Sequence, residues 1–544
     1  GHLPVSTADQ DGQSMIVLQN MGGIAPMMTP ASLSDRLAQT AENLVLYKGG
    51  VTPLKDAVTV ATPTKSGTKK SIYRFGIGQP ETQYWFSWTT DVRVVKGPIA
   101  SDTTERTYFT GDGTPKKTDF SRATQGGSSY PMASYEMGVP APTQAPALSN
   151  VAGSGPETDE SRAYVYTYVS AWGEESAPSP AAIGTATATS VIKLTMSGSV
   201  PTGQYNLAKR YIYRTVTSGA GTNYYWVGEV PIGTTEFIDS TPATGIGEAL
   251  MTLDWDAPLS DLAGLVALPS GALCGFSGKQ VCFSVPNFPY AWPAKYRLTA
   301  DYEIVAVAPM GQGVAVLTTG YPYFINTGDP ESAQMIRIEE EAPCVSARSV
   351  VVVQGNVMYA SPSGLVSFGQ SGTDVVTKKM YDREAWQAIG PANLFAVKHD
   401  NKYIAFDGAG GFILDIDGNL TPHKVPATAA YVDPTTDNLY LASGAYIKRW
   451  NSGASLTATW RSKLYVLPVP LNFSCFQVKA SSYANLTFKM YVDGALKYSV
   501  AVPSQSPMRL PSGFLGRQYE FELTGTDEWY QCAIANSMTE LKGI

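Results

Sequence analysis

Histidine is almost missing from this chain: 544 residues carry three, His2, His399 and His423. A Ser-His-Asp constellation needs a base held beside its nucleophile. No G-x-S-x-G elbow stands ready to present one, and H-E-x-x-H does not occur. Nor does a phosphate-cradling G-x-x-x-x-G-K-[ST] run, because Lys69-Lys70-Ser71 follows a single glycine. Cysteine is scarce and odd in number: Cys274, Cys282, Cys344, Cys475 and Cys532, with no C-x-x-C pair. That excludes a zinc cluster of paired cysteines and does not suit a disulfide framework, so buried free thiols are expected. Cys274 and Cys282 flank one hairpin turn and could face each other.

Charge is sparse at 16%, and basic charge more so: 39 Lys and Arg stand against 46 Asp and Glu, a net of −7. A general nucleic-acid binder needs a basic surface, so that role is excluded, although DNA passing by without sticking is not. Long apolar runs are missing too. Ile304 to Ala308 and Val350 to Val353 are too short to span a bilayer. Gly1-His2-Leu3-Pro4-Val5-Ser6 offers no apolar core for a secretory signal. The sequons at Asn419, Asn472 and Asn485 bear only on a eukaryotic secretory protein.

What is present is turn and strand chemistry: 51 Gly, 37 Pro and 31 Tyr, the composition of many short strands. From about Leu268 to Trp450 one pattern recurs, an apolar β run, a tight glycine turn and another apolar run. The turns fall at Gly278-Lys279, Gly320, Ser361 to Gly364, Asp407 to Gly411 and Ser443-Gly444. Their spacing of roughly 35–45 residues is that of propeller blades.

The remaining chain divides by punctuation. The fold class read from it is all-β and multi-domain: a β-propeller-like core, an inserted fibronectin III-like sandwich, a C-terminal β-sandwich and one short N-terminal helix. The boundaries are 1–150 for an N-terminal platform and docking segment, 155–252 for the inserted sandwich, 255–452 for the propeller and 456–544 for the C-terminal sandwich. The helix is expected after Ser32 or Ser34, with Leu33, Leu37, Ala41 and Leu44 on one face. Residues 71–96 are expected to supply further propeller strands, including a hairpin of Ile72 to Phe75 with Tyr84 to Trp88. About seven short strands between 160 and 250 suggest the sandwich, behind a linker at 141–160. Asp493-Gly494 marks a hairpin turn.

Several groups invite a chemical reading. Glu174 and Glu175 resemble an acid/base pair, but neighbours on a strand or turn point apart. Asp415-Ile416-Asp417-Gly418-Asn419 hints at a calcium loop, yet its twelfth position is Pro426 where an EF-hand needs Glu. A β-turn fits better. Glu339-Glu340-Glu341 reads as a solvated strand end, or alternatively as an acidic ring facing a lumen. Asp102 to Arg106 reads as a salt-bridged loop. A propeller glycosidase would need two carboxylates about 5–10 Å apart; Asp301, Glu303 and Asp415 are the candidates, placed on inner strands. No sialidase-type Asp box accompanies them. A sugar-binding module is a further alternative, since exposed Tyr and Trp stack on sugar rings.

A family resemblance runs alongside. Gly23-Ile24-Ala25-Pro26, Gln39-Thr40-Ala41-Glu42-Asn43-Leu44 and Gly50-Val51-Thr52-Pro53-Leu54 resemble the opening of the tail nozzle proteins of short-tailed bacteriophages, the tail tubular protein B group. Trp85-Phe86-Ser87-Trp88, Asp91-Val92, Gly97-Pro98-Ile99-Ala100 and Asp102 to Gly113 continue it, then Gly138-Val139-Pro140-Ala141-Pro142. Later echoes are Ala291-Trp292-Pro293, Pro343-Cys344-Val345-Ser346 and Trp460-Arg461-Ser462-Lys463. The resemblance implies a virion structural protein of the phage tail, assembled in the host cytoplasm. Six copies would form a ring, the distal tail tube, below a tubular protein A-like adaptor. Tail fibres or plug proteins would be partners, and double-stranded DNA would pass through the lumen unread during genome ejection. The family's residues are structural, so no catalytic, cofactor-binding or metal-binding residue is assigned, no cofactor is expected, and the chain is expected not to be an enzyme.

Overall fold

The computed structural model describes residues 15–153, 157–216 and 223–544. His2 and residues 154–156 of the linker lie outside them. The regular structure is almost entirely antiparallel strand; among the described residues the α-helices are Phe120–Thr124 and Arg383–Ile389, both short. It forms two compact units, one of residues 1–72 with 342–544 and one of residues 73–341. No helix among the described residues is long and apolar enough to cross a membrane.

The five recurring turns each join the middle two strands of a four-stranded meander. Apolar runs flanking a tight turn bury both faces, which is why these inner strands are the most apolar. In the first unit the meanders are Val351–Val353, Asn356–Ala360, Leu365–Gly369 and Gly372–Val375, then Phe395–His399, Lys402–Phe406, Gly411–Leu414 and Leu420–His423. The third comprises Ala429–Val432, Leu439–Ser443 and Tyr446–Arg449, and its fourth strand is Val58–Ala61. The propeller-like core thus takes an N-terminal strand, as an open sheet edge requires. The strand that completes this meander is Val58–Ala61, which precedes residues 71–96. Ile447 pairs Ala61 and Arg449 pairs Val58.

The rest of the first unit is a two-sheet sandwich built from both ends of the chain. Ile16–Leu18, Leu44–Tyr47 and Gly50–Pro53 join Trp529–Ala535, Cys475–Ala480 and Met508–Arg509 in one sheet. Ala38–Glu42 pairs Ala458–Ser462 in the other, beside Gly516–Gly525, Leu486–Val492 and Ala495–Ala501, with Tyr465–Leu471 on the Gly516–Gly525 strand. Asp493 and Gly494 make the expected hairpin turn, both at positive φ. Residues 16–53 therefore supply four strands to the sandwich.

The expected N-terminal helix does not form. Residues 38–42 and 44–47 are strands. A register shift between Ala38 and Thr40 places one extra residue in the edge strand, so Ala38 and Ala41 both turn inward, each 1% exposed. Asn43, at φ 58°, then breaks the strand before buried Leu44. A bulged strand carries buried residues three apart, which imitates helical spacing.

The second unit opens with the hairpin of Ser71–Arg74 and Trp85–Trp88. A four-stranded meander follows: Arg93–Lys96, Thr107–Thr110, Lys116–Thr118 and Tyr135–Glu136. It packs beside the blade of Ala263–Ala267, Leu273–Ser277, Gln280–Phe283 and Leu298–Thr299; Val95 and Tyr108 share a core with Leu262 and Leu265. The next blade is Ile304–Met310, Gly313–Thr318, Tyr323–Ile325 and Met335–Arg337. In sequence, a seven-stranded sandwich comes between the meander and the blades. Its three-stranded sheet is Ala147–Ala152, Val191–Thr195 and Glu236–Asp239. Its four-stranded sheet is Ala182–Ala186, Glu160–Ser170, Leu207–Thr215 and Tyr224–Pro231.

His423, placed by its flanking Pro422 in a loop, is instead the last residue of a buried strand. Its Nε2 donates to the Ala405 carbonyl at 3.0 Å and its Nδ1 accepts from the Val425 N–H at 3.2 Å. The rings of Phe406 and Trp450 close around it edge-on. Burial pushes its pKa from 6.5 down to about 4. The unfolded chain then binds a proton that the folded chain refuses, so this contribution to stability is intact above pH 6.5 and is lost as pH falls towards 4. The loss is on the order of 3 kcal/mol. Urea unfolding midpoints from pH 8 to pH 4 should fall more steeply in wild type than in His423→Gln; parallel profiles would refute the assignment.

Gly23 offers a second check. A Cβ there would sit 2.3 Å from the Leu420 carbonyl oxygen, a backbone atom that cannot rotate away. Gly23→Ala should cost about 1–3 kcal/mol, read as a lower denaturation midpoint. An unchanged midpoint would mean that this segment does not rest against Leu420.

Candidate functional site

The carboxylates singled out for chemistry are occupied by structure. Asp415 Oδ1 accepts from the backbone N–H of Asp417 and of Asn419, each at 2.9 Å, and its Oδ2 accepts from Asn419 Nδ2 at 3.2 Å. The segment is the turn between Gly411–Leu414 and Leu420–His423, as a β-turn reading requires. Asp301 and Glu303 are not on an inner strand. They lie in the connection that precedes Ile304–Met310. Asp301 accepts from the Tyr323 hydroxyl at 3.0 Å and lies 3.6 Å from Arg337, its side chain 71% exposed. Asp415 belongs to the first unit and Asp301 and Glu303 to the second.

Glu174 and Glu175 do point apart. Glu174 meets buried Lys117, while Glu175 accepts from the hydroxyls of Tyr213 and Thr167. Burial lowers the Lys117 pKa and raises that of Glu175. Arg106 stacks on the Trp172 ring at 4.7 Å, above the same ion pair. Asp102 holds its loop through the N–H groups of Thr104 and Arg106, and Glu339 pairs with Arg337 on an exposed strand end.

All five cysteines are free and buried. Cys274 and Cys282 do not face each other, because Cys274 registers with Phe283 and Cys282 with Gly275. The two thiols lie in different core clusters. No cluster of three or more His, Cys, Asp or Glu suited to a metal occurs among the described residues.

The residues that the fold does bring together are the scattered phrases of the resemblance. In the first unit, Trp460 Nε1 donates to the Gly22 carbonyl at 3.0 Å, and the Gly23 carbonyl accepts from Ala38 N–H at 2.9 Å. Gln39 Nε2 donates to the Ser462 carbonyl at 2.8 Å and to Glu520 at 2.6 Å. Glu520 also holds Arg461 at 2.8 Å, and that guanidinium covers the Tyr491 ring at 3.9 Å. Asn43 accepts from Lys424 N–H and donates its own N–H to the Pro422 carbonyl, while its carbonyl takes the Leu54 N–H. Opening phrase, blade and closing phrase meet through side-chain and backbone atoms together.

The second unit repeats this on a smaller scale. Phe86 and Trp88 pack with Phe75, Val92 and Phe109, with Trp88 and Phe109 ring centroids 5.2 Å apart. Val139 shares a core with Ala291, and Met137 with Trp292 and Tyr108. Sequence reasoning marked these residues by pattern and missed what joins them. A capping asparagine at positive φ and a tryptophan donor onto a glycine carbonyl leave no periodic signal.

No protein-family model matches the chain, and no curated protein does. Solved structures similar to it include the Pan2 WD40 domain of Neurospora crassa, at 7% identity and TM-score 0.26, covering 49% of this chain and 84% of that one. A gluconolactonase of Xanthomonas campestris is similar at 9% identity and TM-score 0.24, covering 56% and 99%. An exo-beta-1,3-galactanase of Phanerochaete chrysosporium is similar at 9% and 0.19, covering 81% and 95%. Enzymes therefore stand among the similar structures, and the expectation that this chain is not an enzyme is withdrawn. At these scores the likeness brings no activity to the chain.

Proposed function

We propose that this chain is a structural subunit of a virion tail, the nozzle that ends the tail tube of a short-tailed bacteriophage. One observation carries the reading. Phrases as far apart as Gln39 to Leu44 and Trp460 to Lys463 meet in one interlock, Thr40 pairing Arg461 and Ala41 pairing Trp460. The seven-stranded sandwich serves in this reading as a fibronectin III-like docking module. Six copies form a ring beneath an adaptor ring, with fibres or plug proteins at its margin. Such a ring is heterologous, each copy offering two different complementary patches.

The mechanism is mechanical. Packed antiparallel sheets resist shear, so the wall keeps its shape while the genome is held and then released. A chain of net charge −7 makes a wall that repels phosphate, and DNA slides past it where rings of Lys and Arg would grip it. Double-stranded DNA crosses the lumen without sequence-specific contact.

Electron microscopy of the purified protein and of virions should show a ring with a central hole at the tail tip, its lumen poor in Lys and Arg. A monomer without a hole, or a lumen lined mainly by basic side chains, would sink the reading. So would turnover of a cell-surface polysaccharide that disappears in Asp301→Asn or Asp415→Asn.

A further inference from the structure

The seven-stranded sandwich is not filled along one side. Among the described residues, Ala147–Ala152 and Ala182–Ala186 are end strands of its two sheets, and between them lies a cavity of about 210 Å³. The sequence makes this room. Arg162 and Tyr164 are buried and register with Gly184 and Ala182. The inward positions of the Ala182–Ala186 strand are therefore Ala, Gly and Ala. Ile183, the one large apolar side chain on that strand, faces out at 74% exposed. From the other sheet Leu148 and Ile192 line the space, and a Cβ at Gly184 would stand 3.2 Å from Leu148 Cδ1. The mouth opens between the two end strands, where Ser149, Asn150 and Thr185 are exposed.

One side chain lining the cavity is charged. Arg162 is 4% exposed. Its Nε donates to Glu160 at 2.7 Å and its Nη2 to the Thr187 carbonyl at 2.9 Å. Its Nη1, also buried, makes no hydrogen bond. The Tyr164 hydroxyl gives its proton to Asp239 at 2.7 Å, and Asp239 is itself held by Arg214 at 2.6 Å, so that carboxylate is committed elsewhere. A buried donor left unmade is costly. An acceptor brought into the cavity removes that cost, and a carboxylate is the strongest acceptor for a guanidinium. Leu148, Ile192 and Ala186 supply an apolar wall. Pockets for drug-sized ligands begin at about 300 Å³, whereas a cavity of about 150 Å³ already takes benzene. The space suits a molecule of benzoate size or smaller.

We infer that this cavity binds a small organic acid, its carboxylate on Arg162 and its apolar body between Leu148, Ile192 and Ala186. The inference is independent of the tail assignment. The two separate in experiment, because ring formation does not report on the cavity and acid binding does not report on a ring.

The test is titration of the full chain with benzoate, isovalerate and butyrate, and with benzyl alcohol as the uncharged counterpart, followed by saturation-transfer NMR and calorimetry. At least one of the acids should bind saturably at millimolar or tighter concentration, and benzyl alcohol about tenfold more weakly or worse. Gly184→Val places a side chain in the cavity and should abolish binding, and Ala186→Val is a second block from the same strand. Unchanged melting temperatures of these two variants will show that the sandwich is intact. Arg162→Gln should weaken the acid about tenfold or more while leaving benzyl alcohol within about twofold. Absence of saturable binding by all three acids overturns the inference. So does binding that survives both valine variants, or equal affinity for the acid and the alcohol.

Discussion

The antiparallel pairing of Ala38–Glu42 with Ala458–Ser462 is the constraint on which the first unit depends. Every strand must satisfy two rows of backbone donors and acceptors, and a short sheet cannot do so at its margins without borrowing. The segment before residue 62 supplies what is missing. It closes one meander with Val58–Ala61 and gives four strands to the sandwich. Between those duties it lies along Leu420–His423 through Ile24, Asn43 and Gly23. One cluster of buried side chains accordingly runs from Met358 and Phe412 in the blades to Phe488 and Phe521 in the sandwich.

That arrangement explains which features could be read from the chain. The five hairpins were legible because each is local: two apolar runs and a turn within about a dozen residues define it without help. Asp493-Gly494 was legible for the same reason. The N-terminal strands were not, because their partners lie some four hundred residues away and nothing in a window of local periodicity reports them. The false helix at Leu33 to Leu44 shows the mechanism of failure. Inward positions at Ala38 and Ala41 follow from the bulge, and the bulge exists only opposite Arg461 and Ser462. The chemistry was legible mainly as refusals. The pointing-apart of Glu174 and Glu175 follows from strand geometry, whereas their partners Lys117 and Tyr213 come from strands that only the tertiary fold delivers.

The few charges of this chain are used in an uneven way. Several are buried where a hydrophobic pair would serve stability as well. Arg214 and Asp239 meet at 2.6 Å with side chains 3% and 0% exposed, and the Tyr164 hydroxyl completes the group at 2.7 Å. Lys117 and Glu174 are sealed in the same way. A buried ion pair tolerates only one geometry, since a displaced partner leaves an uncompensated charge. In the seven-stranded sandwich, Arg214–Asp239 ties the last strand of the three-stranded sheet to the four-stranded sheet. An apolar contact there would permit sliding by one residue, and in a sheet such a slip turns every side chain to the wrong face.

The same logic orders the events of folding in the first unit. Local hairpins close early at small entropic cost, and pairings between distant segments close late because loop closure must be met before the contact repays it. The N-terminal strands are therefore the last element whose absence leaves edges open in both meander and sandwich. An element that completes two sheets at once couples them: loss of Ala38–Glu42 from the sandwich drags on Ile24 and Asn43, whose N–H groups donate to the Leu420 and Pro422 carbonyls, and on Asn43 Oδ1, which accepts from the Lys424 N–H. Opening of one part then requires opening of the other, so the unit yields as a whole rather than strand by strand.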